Sequence, residues 1–469
     1  MKKLTATFLL LIFIFTSGCG SIKDVIDGIL GSDGLFYGIY FSSKFETSDP
    51  DTLYAFNDFE KCEINKLETY ENDHSKYNSS YFKDKISGNM LILYNTLARA
   101  NFSGENKLLI PMDRFNTEAI ENALHFLACD SPFVYANQYL VFEEITLAEI
   151  DFHLVSVFRI TENDSEKTNR VLADAKKVVE EMDLKATEFQ KMQYLYTRTV
   201  KLIEYFNDDE YNLSANYLFD AFVNGKTNCN GFSETFLLLS RLAGLNNFGA
   251  DYTSEKKIEY FLKINGIDQA EMLDGGMLKT EYELGNTDAA MDFFKQKSLL
   301  DKAYDFFGKE DDGKLSWINF SHILNFAELS GEYYIFDATW ERTPYEKFSE
   351  NIGDYPYHYF AMSTVNNKFY GDVFSDDIKD LLPECADAQY EGRGADVKIE
   401  GVSQGADSST VSGTIDSAFV NGKKYIFVYF SEIPDESRID KLLDGAIRSS
   451  RRVSVVHYYY LGHYLCITF

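Results

Sequence analysis

Asn224-Gly225-Lys226-Thr227-Asn228-Cys229-Asn230-Gly231-Phe232-Ser233-Glu234 marks a helix start with a cysteine in the first turn. Thr227 or Asn228 can cap it, since both side chains accept hydrogen bonds from first-turn N–H groups. Phe236, Leu237, Leu239, Ser240 and Leu242 continue a mostly apolar helical face, and Gly244 supplies a stop. Unpaired N–H groups and the positive end of the helix dipole favour a thiolate there and can hold a developing oxyanion. A cysteine at a helix start is, taken alone, most often a packed cysteine.

A second segment supplies partners for that thiol. Ser321-His322-Ile323-Leu324-Asn325-Phe326-Ala327-Glu328 alternates like a half-buried strand, as does Glu332 to Trp340, with Ser330-Gly331 as a two-residue hairpin turn. With that turn, paired positions sum to 661, so His322 is expected opposite Thr339 and Leu324 opposite Asp337. The diagonal His322–Asp337 pair then lies on one face, within about 7–8 Å at Cα. An Asp accepting from one imidazole nitrogen fixes the tautomer and aims the other nitrogen outward. Asp337 stands among Tyr333 and Ile335 on its face, where a carboxylate needs a partner.

G-K-x-x-C-x-G-F, a long gap, H-x-x-N, and D-A-T-W fifteen residues beyond the histidine (337 − 322 = 15) resemble the transglutaminase-like superfamily over about residues 170–375. The resemblance implies a papain-like core in which a Cys-bearing helix packs on an antiparallel sheet carrying His and Asp. It also implies Cys229 as nucleophile, His322 as base and Asp337 as third member, with Gly231, Phe232, Asn325 and Trp340 in supporting positions. Two positions depart from the family. Leu324 stands where Trp is frequent, and Phe219 stands where a hydroxyl-bearing aromatic is frequent, with Tyr217 as a substitute hydroxyl.

The expected fold class is α+β. The N-terminus reads as an export signal over 1–18. Lys2 and Lys3 precede the apolar run Phe8–Phe15, which is too short to span a bilayer. Thr16-Ser17-Gly18-Cys19 resembles a bacterial lipobox, which implies lipidation of Cys19 and an extracytoplasmic, membrane-anchored protein. Cleavage at small residues in ordinary secretion is the alternative. A tether is expected over 19–35, an N-terminal α+β domain over 36–165 and the transglutaminase-like domain over 166–380, with a charged helical insertion at about 250–314. A linker over 391–407 and a small α+β module over 408–469 follow. Within these, helices are expected over 86–100, 117–128, 170–182, 187–205 and 439–448, and strands over 139–142, 152–160, 424–430 and 453–460.

The net charge of −29 excludes a basic nucleic-acid surface and adsorption to anionic lipid through a basic face. Membrane attachment is therefore expected only through lipid on Cys19. No C-x-x-C or H-x-x-x-H occurs, so the sequence assigns no metal and no cofactor. Cys62, Cys129, Cys385 and Cys466 can pair in an oxidising exterior or stay as buried thiols. The expected partner is a peptide or protein substrate, including cell-wall peptide. Three function classes stand side by side: an acyl-transferring or hydrolysing thiol enzyme, a non-catalytic surface binding module on the same fold, and a two-lobed ligand-binding lipoprotein.

Overall fold

The computed structural model describes residues 38–43, 59–71, 75–134, 139–147, 150–158, 165–183, 185–206, 217–267, 287–307, 309, 313–315, 321–349, 357–365, 367–399, 404–432, 434, 436–453, 456–461 and 463–469. The expected signal segment, Cys19 and the tether lie outside them, as does the stretch 268–286 of the expected insertion. The described chain is α+β, with several antiparallel sheets.

One compact unit holds the described residues within 1–72, 87–124 and 139–158. Its elements are β1 (Ile39–Ser42), β2 (Glu60–Cys62), α1 (Gly88–Ser103), β3 (Lys107–Pro111), the first part of α2 (Thr117–Asp130), β4 (Tyr139–Leu147) and β5 (Ile150–Phe158). The five strands form one antiparallel sheet in the order β2-β1-β3-β5-β4. Alternation along the strands gathers Tyr40, Leu109, Phe152 and Leu154 into a buried cluster.

The second unit holds the described residues within 73–86, 125–138 and 159–469. It opens with α3 (Ser165–Glu180) and α4 (Glu188–Leu202). A capping box starts α4: Thr187 accepts from the Gln190 N–H, and the Gln190 side chain accepts from the Thr187 N–H. The expected helix to residue 205 stops at Leu202. Residues 204–205 form β6 (Glu204–Tyr205), which pairs in parallel with β7 (Lys226–Thr227) immediately before α5 (Cys229–Leu242).

Next comes β8 (Asn247–Tyr252), a strand the sequence pattern did not reveal. The expected insertion therefore begins inside a core strand rather than after the core. Helices α6 (Ser254–Ile264), α7 (Thr287–Gln296) and α8 (Leu300–Phe307) follow and bury an apolar cluster of their own around Phe261, Phe294 and Phe307. The hairpin β9 (His322–Leu329) and β10 (Glu332–Phe336) then completes a three-stranded antiparallel sheet, β10-β9-β8. Its register is the expected one, Glu332 opposite Leu329 through Phe336 opposite Asn325. Ser330 and Gly331 both have positive φ, 57° and 88°, as a primed two-residue turn requires.

β10 ends at Phe336, four residues before the expected strand end. Asp337 turns the chain into α9 (Ala338–Ser349) by accepting the Trp340 N–H at 3.0 Å. His322 consequently pairs with Tyr252 of β8 and not with Thr339.

Helix α5 buries Phe232, Phe236, Leu238 and Leu239 against α3, α4 and the β9–β10 face bearing Ala327, Leu329, Tyr334 and Phe336. A buried amide network sets helix against sheet. Asn325 Nδ2 donates to Ser233 O (3.2 Å) and Asn247 Oδ1 (3.1 Å), while Asn247 Nδ2 donates to Ser240 Oγ (3.0 Å).

β11 (Val397–Ile399), inside the expected linker, pairs in parallel with β12 (Tyr425–Phe430). α10 (Gln404–Val420), α11 (Glu436–Ser449), β13 (His457–Leu461) and β14 (Tyr464–Thr468) complete the C-terminal sheet β11-β12-β14-β13. Buried Glu391 ties this sheet to the core by accepting from the Ser363 N–H (2.6 Å) and the Tyr429 hydroxyl (2.7 Å).

Asn325→Leu removes the donor for Ser233 O and Asn247 Oδ1 and leaves both buried. A loss of roughly 2–6 kcal/mol is expected, at about 1–3 kcal/mol for each of the two orphaned groups. An unchanged urea midpoint would show that the network carries no weight.

Candidate active site

Cys229 is the first residue of α5. Asn228 is the cap, its Oδ1 accepting the Asn230 N–H at 3.1 Å, so of the two expected caps the asparagine serves. The cap takes the Asn230 N–H, and the Phe232 N–H donates to Asn228 O at 3.2 Å, so the remaining first-turn N–H groups of α5, those of Cys229 and Gly231, are the ones a helix leaves without an intrahelical acceptor. Gly231 is required by packing: a Cβ there would collide with the Thr227 side chain. Phe232, fully buried, anchors the first turn in the core.

His322 opens β9 and Asp337 follows β10, and the turn brings them together. His322 Nε2 donates to Asp337 Oδ2 at 2.7 Å, and the Cys229 thiol is close enough to the same ring to act on it electrostatically. The three residues are 7%, 4% and 0% exposed, so their interactions act at low dielectric. Burial alone would lower the imidazole pKa. The Asp337 charge and hydrogen bond, aided by Cys229, outweigh it and raise the value to about 10. The charged form of the ring is thereby favoured at neutral pH, the condition for a thiolate–imidazolium pair.

The supporting positions divide by role. Asn325 ties β9 to α5 as described. Trp340 caps onto Asp337 Oδ1 through its N–H and sets its ring edge-on to His322, with centroids 6.0 Å apart. The Tyr370 hydroxyl reaches Asp337 Oδ2 at 3.4 Å, and the Asp337 N–H donates to Tyr359 O at 2.9 Å. Leu324 is buried, its carbonyl accepting from Ser233 Oγ at 3.5 Å. Phe219 packs at the edge of the helical core, with Lys167 and Arg170 near its ring. Tyr217 opens a short helix, Tyr217–Phe219, and is buried.

Two further residues escaped the sequence reading. Tyr205, from β6, is carried beside the nucleophile by the parallel pairing Tyr205↔Thr227. Its hydroxyl is buried without a hydrogen-bond partner. Burial, then the nearby Cys229 and Asp337 charges, push its pKa up. Five residues along α5 from the thiol, Glu234 is also buried, and its Oε2 has no partner. Burial, then proximity to Cys229, raise its pKa well above the usual carboxylate value. Neither residue announces itself in the sequence, since each acquires its meaning from burial.

Cys62, Cys129, Cys229, Cys385 and Cys466 are all buried free thiols. No protein-family model matches the chain, and no curated protein is found to match it.

Asp337→Asn keeps a good helix cap but removes the charge facing His322. The folded-state pKa of His322 lies above its ordinary 6.5, so the stability it contributes is fully present below pH 6.5 and is lost as pH rises toward about 10. The gap in urea midpoint between wild type and this variant is expected to narrow over that window; a gap independent of pH sinks the assignment. Glu234→Gln has the opposite logic. Keeping Glu234 protonated in the fold costs about 1.4 kcal/mol per pKa unit once the unfolded chain ionises. The variant is expected to be more stable than wild type at pH 7 and equal to it below pH 4, by the same titration.

Proposed function

We propose that this chain is an exported, lipid-anchored, transglutaminase-like protein with a papain-type core, whose Cys229-His322-Asp337 triad performs acyl transfer or hydrolysis on a peptide or Gln amide. The observation that carries this reading is the meeting of a helix-tip thiol with an imidazole held by a buried carboxylate. The core supports it too, as the helix bearing Cys229 packs on the antiparallel sheet that bears His322.

In this mechanism the Cys229 thiolate attacks the carbonyl carbon and a C–S bond forms. The His322 imidazolium protonates the leaving amine as the C–N bond breaks, giving a thioester. Neutral His322 then takes a proton from water or an acceptor amine, which attacks the thioester and releases Cys229. The oxyanion is held by the first-turn N–H groups of α5 and by the Tyr205 hydroxyl, which takes the place of the hydroxyl that Phe219 lacks. The apolar run Phe8–Phe15 and Cys19 support export and anchoring. A peptide or protein chain, including cell-wall peptide, is the substrate class proposed for this chemistry.

The low exposure of Cys229, 7%, favours a second reading, a non-catalytic surface module on the same fold. Selective alkylation separates the two. With iodoacetamide at pH 6 and peptide mapping by mass spectrometry, Cys229 is expected to label faster than in the denatured chain, and His322→Ala to slow labelling by about 100-fold or more. Equal rates in native and denatured chain, unaffected by His322→Ala, overturn the enzyme reading.

A further inference from the structure

Helix α2 carries a second constellation. His125 and Cys129 lie four residues apart and so project from one face of the helix. Asp251 of β8 reaches them, and the imidazole, thiol and carboxylate donor atoms all stand within 4.8 Å of one another. His125 Nε2 lies 2.5 Å from Asp251 Oδ1, and His125 Nδ1 lies 2.5 Å from Asp377 Oδ2, at the start of the short helix Asp376–Lys379. The site is distinct from the triad. It shares no residue with the triad: Asp251 lies opposite Ile323 and its neighbour Tyr252 opposite His322.

We propose that His125, Cys129 and Asp251 bind one divalent metal ion of the zinc class, with Asp377 holding the imidazole from behind. Both imidazole nitrogens face carboxylates, so either the ring carries two protons or a cation stands in for the one at Nε2. A carboxylate clamp needs no sulfur, yet Cys129 is directed into the same space. Asp377 accepting from Nδ1–H and leaving Nε2 to the ion is the carboxylate–histidine–metal arrangement, which fixes tautomer and ring orientation. One nitrogen, one sulfur and one oxygen suit Zn²⁺ and its neighbours, whereas Mg²⁺ and Ca²⁺ favour oxygen alone. Ligand atoms of tetrahedral zinc stand roughly 3.4 Å apart, so Nε2 and Oδ1 must part by about 1 Å. The fourth position is left to water. Such an ion would join α2 to β8, and β8 carries Tyr252 against the His322 ring at 5.5 Å between centroids. A search for C-x-x-C and H-x-x-x-H passes over this H-x-x-x-C pair.

The test uses the full chain carrying Cys229→Ala, so that the triad thiol cannot bind metal, with Zn²⁺ and Co²⁺ alone as probes. One Co²⁺ per chain is expected, with a thiolate-to-cobalt absorption band in the near ultraviolet that Cys129→Ser abolishes and Zn²⁺ displaces. Asp251→Asn and His125→Gln should weaken Zn²⁺ binding at least tenfold, measured by competition with a chromophoric chelator. Saturating Zn²⁺ should raise the melting temperature of the parent and protect Cys129 from alkylation. Should Cys129→Ser fail to fold, Asp251→Asn and the protection of Cys129 in the parent decide. No binding below millimolar Zn²⁺, or a cobalt band that survives Cys129→Ser, overturns the proposal.

Discussion

A fully buried carboxylate, Asp337, organises the site. Removed from water, it must be satisfied by the fold, and both oxygens are. Oδ1 accepts the Trp340 N–H and thereby ends β10 and begins α9. Oδ2 accepts from His322 and thereby fixes which imidazole nitrogen is left for the thiol. One side chain thus sets both a secondary-structure boundary and an electrostatic state. Glu341, one turn into α9 and equally buried, accepts the Tyr359 N–H at 2.7 Å and brings the 357–359 segment against the carboxylate.

The other half of the geometry depends on how α5 is held. An apolar face alone positions a helix loosely, because many packings bury similar area. The Asn325–Asn247–Ser240 amides allow few alternatives, since each alternative leaves a buried donor or acceptor unmade. Gly231 against Thr227 permits close approach of the first turn to β7. With the helix so held, Cys229 meets His322 although ninety-three positions separate them (322 − 229 = 93). The strand β8 serves two sites at once, pairing with the triad histidine through Tyr252 and presenting Asp251 to His125.

What local chemistry governs was legible in the chain. Asn228-Cys229 with Gly244 bounded a helix because capping and αL termination involve neighbours only. Ser330-Gly331 set the hairpin register because a two-residue primed turn admits one pairing. Asp337 was recognisable as a residue needing a partner, being polar amid apolar strand positions. The strand stops four residues short of where alternation alone carries it, because Asp337 caps α9.

The sequence by itself determined the elements around Cys229, His322 and Asp337 and the hairpin register that brings the last two near each other. Tertiary structure alone decided that Asn247–Tyr252, a segment with little alternation, becomes a core strand, since its ladder bonds are made with β9. It alone decided that Tyr205 stands beside the thiol, that Glu234 is buried near it with its pKa pushed up, and that Asp251 and Asp377 flank His125. Each of these depends on which distant groups share a water-poor interior. Burial and charge proximity are properties of the folded chain, and no spacing along the sequence encodes them.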